Sequence, residues 1–385
     1  MTYLGLRRFQ AGLWVTLVAL TTLQQPGFAA DKTIRVTFTD RHDSKQTVDG
    51  KVVVEAADGG IMLLARDGHL HSVTPKVEIA REDTEKEFVP FTADELSVRL
   101  LAEFGDGFHI HKTANYVICS NATETYTKWC GVLFQRLSAG FHRQWEKTDL
   151  KLHKPKSPLI AVVFRNAQQF AEFATKDEGP HLAAAQGYYS IRSNRMIMFD
   201  LTSDSKTTVK SGQDIVRRLA MKPANVATVV HEATHQVAFN SGLHTRYADN
   251  PLWLTEGMAM YFETPDLRSP KGWKTAGRVN LSRLKQYREY KAKRRKDNSL
   301  TQLVQNNDVF QSSVHDAYAE AWALSYFLMK THREQYVNYL KLVQAKPRLV
   351  WDSKEQRIDD FVGAMGKSIE KLDAEFERYM RRLRR

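Results

Sequence analysis

Residues 231–235 read His-Glu-Ala-Thr-His, and Trp-Leu-Thr-Glu-Gly follows at 253–257. On a helix, His231 and His235 lie four positions apart, so both imidazoles leave one face and can grip the same metal ion. Glu232 is one position on, beside that ion, where its carboxylate can take a proton from metal-activated water. A catalytic zinc takes three protein ligands and keeps a fourth position open. Glu256 is the best third ligand; Asp249, in the turn-like Tyr-Ala-Asp-Asn-Pro segment, is the weaker rival. Glu263 falls seven residues after Glu256, on a similar helical face. It reads either as a partner that orients a ligand histidine or as a solvated acid.

Two helices have to position these groups. Pro223-Ala-Asn-Val-Ala-Thr-Val-Val230 carries apolar residues at helical spacing into His231, with Pro223 in the first turn. The helix is expected to run to about Asn240 and to end at Ser241-Gly242. A second helix is expected over Pro251–Glu263, with proline again near its start.

The chain has 385 residues, 42% hydrophobic and 26% charged, ordinary values for a globular protein of two or three domains. Residues 1–29 read as a secretory signal: Arg7 and Arg8, an apolar run from Ala11 to Leu20, then small residues around Ala29. The run is short for a bilayer span, and no later stretch is long enough. The expected location is therefore outside the cytoplasm, periplasmic or extracellular. Removing the signal takes two arginines and no acids from a formal charge of +12, leaving about +10. Cys119 and Cys130 are the only cysteines. Their spacing does not suit a zinc knuckle, and the residues leave open a disulfide or two buried thiols.

The expected architecture is α+β. Residues 30–90 form a small β-rich, SH3-like module and linker. In it Lys51–Glu55, Ile61–Leu64 and His69–Val73 make a meander turned at Asp58-Gly59 and Asp67-Gly68, and the charged stretch Arg81–Phe91 is the linker. His69 and His71 read as a polar strand face rather than as metal ligands. From residue 95 to 385 helices and strands alternate and then give way to helices alone. The hairpins 107–120 and 187–199, the buried strand 158–164 and the helix 124–144 precede the His-Glu-x-x-His segment.

Through the segments HEATHQ, WLTEGMAMYFE and AYAEAWALSYFL, residues 97–380 resemble the gluzincin, or peptidase-MA-like, superfamily of zinc metallopeptidases. The closest likeness is to an uncharacterised exported bacterial branch. A metzincin would carry Gly and His where this chain has Ala238 and Ser241. The resemblance implies a zincin-like domain with a mixed-sheet upper lobe and a helical lower lobe. It implies zinc on His231, His235 and Glu256, with Glu232 as general base. It also implies an oxyanion donor, for which Tyr318 is the first choice and His315 the second. In such proteins an edge strand above the metal binds the extended substrate, and the 187–199 hairpin is in the right place for it.

The expected function is thus an exported zinc peptidase acting on a peptide or protein substrate. The alternatives are a catalytically silent zinc protein and a binder of an anionic envelope polymer through the basic run Lys291, Lys293, Arg294, Arg295 and Lys296. Nucleic acid is the disfavoured partner, since the run has no recognition motif around it and export separates the chain from the cytoplasm.

Overall fold

The computed structural model describes residues 32–204, 207–267, 269 and 273–383. The expected signal segment lies outside the described residues. The described chain is mixed α/β, with a β-rich N-terminal module and a helical C-terminal part. Strands β1 (Lys32–Thr39), β2 (Lys45–Glu55), β3 (Ile61–Ala65), β4 (Leu70–Val73) and β5 (Glu78–Glu87) form one sheet in the order β4-β3-β2-β1-β5. Its small core is Ile34, Val36, Phe38, Ile61, Leu63 and Val73. Gly59 and Gly68 take φ of +84° and +89° at the two expected turns, the left-handed region where glycine is unstrained.

The segment expected as a linker is instead mostly strand. β5 pairs antiparallel with β1 at the sheet edge. Its sequence, Glu-Ile-Ala-Arg-Glu-Asp-Thr-Glu-Lys-Glu, is exposed along most of its length. An edge strand with little buried face shows no apolar alternation, and its charges discourage further pairing.

The second unit opens with α1 (Ala93–Phe104), whose Thr92 and Glu95 form a capping box. Then come β6 (His109–Lys112), β7 (Tyr116–Ser120), α2 (Glu124–Trp145), β8 (Leu159–Phe164), α3 (Ala167–Asp177), β9 (Gly187–Tyr189) and β10 (Arg195–Phe199). The sheet order is β6-β7-β8-β10-β9, parallel through β7, β8 and β10, with an antiparallel strand at each edge. β7 and β8 are buried throughout, as strands covered on both faces are. Alternate residues feed two cores. Ile118, Ala161 and Val163 face one, while Val117, Ile160 and Val162 face the other. Cys119 belongs to one core and Cys130 to the other, both free and buried. Burial pushes the Cys119 thiol up to about 12 and that of Cys130 well above the ordinary thiol range. The buried-thiol alternative is the one the fold adopts.

After α4 (Gly212–Leu219), α5 (Pro223–Asn240) carries the two histidines and α6 (Leu252–Phe262) carries Glu256. The rest is helical: α7 (Leu281–Lys293), α8 (Ser299–Gln305), α9 (Val309–Ser312), α10 (Val314–Thr331), α11 (Arg333–Gln344), α12 (Lys354–Met365) and α13 (Ile369–Arg382). α10 is buried on every side from Ala317 to Met329, the mark of a central helix. No helix among the described residues is long and apolar enough to cross a membrane.

α6 and α10 touch through Gly257. A Cβ there would lie 2.1 Å from Ser325 Oγ and 2.6 Å from the Ala321 carbonyl oxygen. Gly257→Ala should force the helices apart and cost about 1–3 kcal/mol. Thermal denaturation checks this, and an unchanged melting temperature would show that the contact yields without cost.

Candidate metal centre

α5 starts with Pro223 at its first position and stops at Asn240, with Gly242 at φ +81° just beyond. Val226, Val229, Val230, Ala233 and Val237 anchor it in the main core. That fixes the helix rotation and turns His231 and His235 toward α6. His231 Nε2 lies 2.9 Å from Glu256 Oε2 and 3.1 Å from His235 Nε2. His235 Nε2 is 3.5 Å from Glu256 Oε1. The three ligand atoms fall within 4.8 Å of one another.

The chemistry of this donor set fits a cation. His231 Nδ1 is 3.1 Å from Glu263 Oε2; a carboxylate only accepts, so Nδ1 is assigned the proton. In the neutral ring Nε2 is then a lone pair, facing a carboxylate and a second imidazole nitrogen. Acceptors directed at one another need a positive charge between them, a proton or a metal. Burial alone would lower the His231 pKa, yet its bonds to Glu256 and Glu263 outweigh that and raise it to about 10. Glu256 moves down against its burial because both imidazoles favour its charged form.

Glu263 caps the end of α6 and is itself held in place. Asn280 Nδ2 donates to its Oε1 at 2.7 Å, and Arg283 Nε donates to the same oxygen at 2.9 Å. Glu263 is 3% exposed and bonded to His231, so it is not a solvated acid. Arg283 and Asn280 carry no motif, and the sequence gives no sign that the start of α7 backs this carboxylate.

Glu232 is not one of the three converging groups, and its carboxylate meets the sheet. Ser190 N bonds inward to the Arg195 carbonyl of β10. Tyr189, one residue earlier, therefore turns its N–H outward, and Glu232 Oε2 accepts it at 3.1 Å. Burial raises the Glu232 pKa above the usual carboxylate range. β9 is the sheet's edge strand, so the carboxylate sits beside open backbone.

The other sequence candidates go elsewhere. Asp249 pairs with buried Arg357, Nε to Oδ2 at 3.0 Å, so the rival ligand is occupied by an ion pair. Tyr318 is buried in α10 with its ring under Arg283, 5.9 Å from the guanidinium carbon, and against Phe310. His315 is exposed in the first turn of α10. His69 and His71 stack at 4.1 Å, and His69 Nε2 accepts from Arg192 at 3.1 Å. The basic run is not one solvated face. Arg295 is buried among Glu320, Asp373 and Glu377, Lys291 also meets Glu377, and Arg294 is bidentate to Asp316 at 2.7 Å. Only Lys293 and Lys296 of the five remain exposed and without an ion pair among the described residues.

Sequence reasoning missed the wall beside His235. Phe239, one turn on, stacks on Tyr189 at 5.8 Å and touches His244 at 5.4 Å. His244 is 1% exposed, and burial holds its pKa down near 3, so it stays neutral.

A family described as a protein of unknown function (DUF1570) matches residues 225–349. The matched stretch runs from the start of α5 to just past α11 and so contains every residue of the cluster. No curated protein matches the chain.

Proposed function

We propose that the protein is a zinc-dependent peptidase of the gluzincin kind, exported by its N-terminal segment. One observation carries the reading: His231 Nε2, His235 Nε2 and Glu256 converge within 4.8 Å while Glu232 stands next to them at the open edge of β9. When bound, zinc supplies Lewis acidity and an acidified water. Glu232 is the proton carrier, taking a proton from water and returning it to the leaving amine. Burial raises its pKa above the usual carboxylate range, the direction that favours a group which takes and then returns a proton. Glu263 fixes the His231 tautomer, and Asn280 and Arg283 fix Glu263.

β9 is an edge strand of the sheet, and an extended backbone can be added to such an edge, which supports a peptide substrate laid beside it. For the oxyanion, what supports Tyr318 over His315 is that its ring lies under Arg283, which bonds Glu263, whereas His315 is exposed. The polyanion alternative has less support, because three of the five cations in the run are already paired within the fold. A silent zinc protein has no use for Glu232 at the sheet edge.

The test is direct. The purified protein should carry about one zinc, cleave members of an unbiased peptide library, lose that activity to chelator and regain it with added zinc. Zinc-loaded protein that leaves the whole library intact would end the peptidase reading.

A further inference from the structure

The loop after α5 and the turn between α11 and α12 are bound together. Leu349 N donates to the Tyr247 carbonyl at 2.7 Å, Ala248 bridges to Arg348, and Arg348 Nη1 donates to the Arg246 carbonyl. Tyr247 and Leu349 both have positive φ, +63° and +60°. Neither residue favours that region, and strain of this kind persists where surrounding structure enforces it, often at binding sites.

The pair of segments brings two cations together. Arg246 is buried, and its Nη atoms donate to the carbonyls of Gly68, Ile191 and Arg192. It thereby clasps the N-terminal module and the β9–β10 turn at once. Among the described residues, neither Arg246 nor Arg348 has a carboxylate within ion-pair distance. Arg246 is satisfied by carbonyl oxygens. Arg348 spends one Nη on a carbonyl, and its Nε and other Nη meet no acceptor among the described residues. Buried or half-buried charges are normally paired, so Arg348 holds donor capacity in reserve.

Its neighbours tie that capacity to the edge strand β9. Burial and the adjacent Arg246 push the Arg348 pKa down to about 10. The backbone N–H of Tyr189 is the group on Glu232, and its ring stacks on Phe239. Through Arg246, Arg348 is joined to the β9–β10 turn that begins just after Tyr189. Beyond Arg348 the turn ends in exposed Val350 and Trp351, 48% and 60% accessible, an apolar rim next to a cation.

We propose that Arg348 forms an anion subsite for the substrate, taking a peptide carboxylate through its unspent nitrogens. The carboxylate is either the chain terminus or an Asp or Glu side chain near the cleaved bond. A guanidinium presents a planar fork that matches a carboxylate and confers charge-assisted bonds. The assignment deepens the peptidase reading and rests on it for the word substrate, while the binding chemistry stands by itself.

The experiment therefore reads binding rather than turnover. Fluorescein-labelled random hexapeptide pools are titrated by anisotropy against metal-free full-length protein. One pair of pools differs in a free or amidated C-terminus; a second, amidated pair contains Glu or Gln at the varied positions. The expected result is about tenfold to a hundredfold tighter binding of the anionic member of one pair. The pair that responds identifies the source of the carboxylate. Arg348→Gln should abolish the preference, and Arg348→Lys, which keeps the charge, should retain part of it. Melting curves establish that each variant is folded; if Arg348→Gln is not, Arg348→Lys alone must narrow the preference. Equal binding of charged and neutral pools, or a preference that survives in a folded Arg348 variant undiminished, overturns the proposal. Intact preference with no hydrolysis by zinc-loaded protein sinks only the peptidase reading.

Discussion

Glu232→Gln should leave the fold and the zinc content unchanged and lower peptide hydrolysis by about a hundredfold to ten-thousandfold. The substitution is isosteric and creates no cavity in a residue that is 8% exposed. The amide oxygen can still accept the Tyr189 N–H that the carboxylate accepts at 3.1 Å. Metal binding is spared because Glu232 is not among the three residues whose ligand atoms converge. What disappears is the carboxylate proposed to take and return a proton at this edge: an amide does neither near neutral pH. Burial raises the native pKa of Glu232, so the charged form is disfavoured by folding and its loss should not destabilise the protein. The measurement is kcat with metal stoichiometry and melting temperature alongside. Turnover close to wild type at full zinc occupancy would remove Glu232 from the mechanism; loss of zinc would instead mean that the residue helps hold the ion.

The elements that carry this site are the ones with a strong local signature. α5 combines proline at its first position, apolar residues at helical spacing and a left-handed glycine after its end, and each can be read without knowing the fold. β8 is an unbroken apolar run whose length marks it as a buried strand. The face shared by Glu256 and Glu263 follows from their spacing alone. Illegible features are those set by pairing across long separations. Arg357 finds Asp249 across 108 residues, which is why a carboxylate that looks available in sequence is occupied in the fold. Arg295 looks like one of several solvated cations, yet helix α13, 78 residues on, buries it. Asn280 and Arg283 are ordinary polar residues until α7 is laid behind α6. β5 fails for the opposite reason: an exposed edge strand has no second face to print a pattern.

Glu263→Gln should weaken zinc binding by about tenfold to a hundredfold, although Glu263 is not itself one of the three converging residues. As a carboxylate, Glu263 accepts on both oxygens: His231 Nδ1 at one, Asn280 and Arg283 at the other. A glutamine has one acceptor and one donor end. If the amide oxygen stays with Asn280 and Arg283, the NH2 faces His231, and the ring must move its proton to Nε2. That atom is the one facing Glu256 and His235, so the lone pair meant for the metal is lost. If the amide is turned over, the NH2 meets the donors of Asn280 and Arg283. Either orientation also removes the buried negative charge opposite Arg283, at a cost on the order of 3 kcal/mol. Stability and affinity can be separated with Arg283→Met in the same chain. The neutral pair Glu263→Gln, Arg283→Met should regain most of the melting temperature, because a buried ion pair can be replaced by apolar packing at little cost. It should not regain the zinc affinity, which depends on the tautomer of His231 and not on the guanidinium. Competition titration with a chelator of known strength reads the affinity, and calorimetry reads the stability. Full recovery of both in the double variant would show that Glu263 acts only by balancing Arg283.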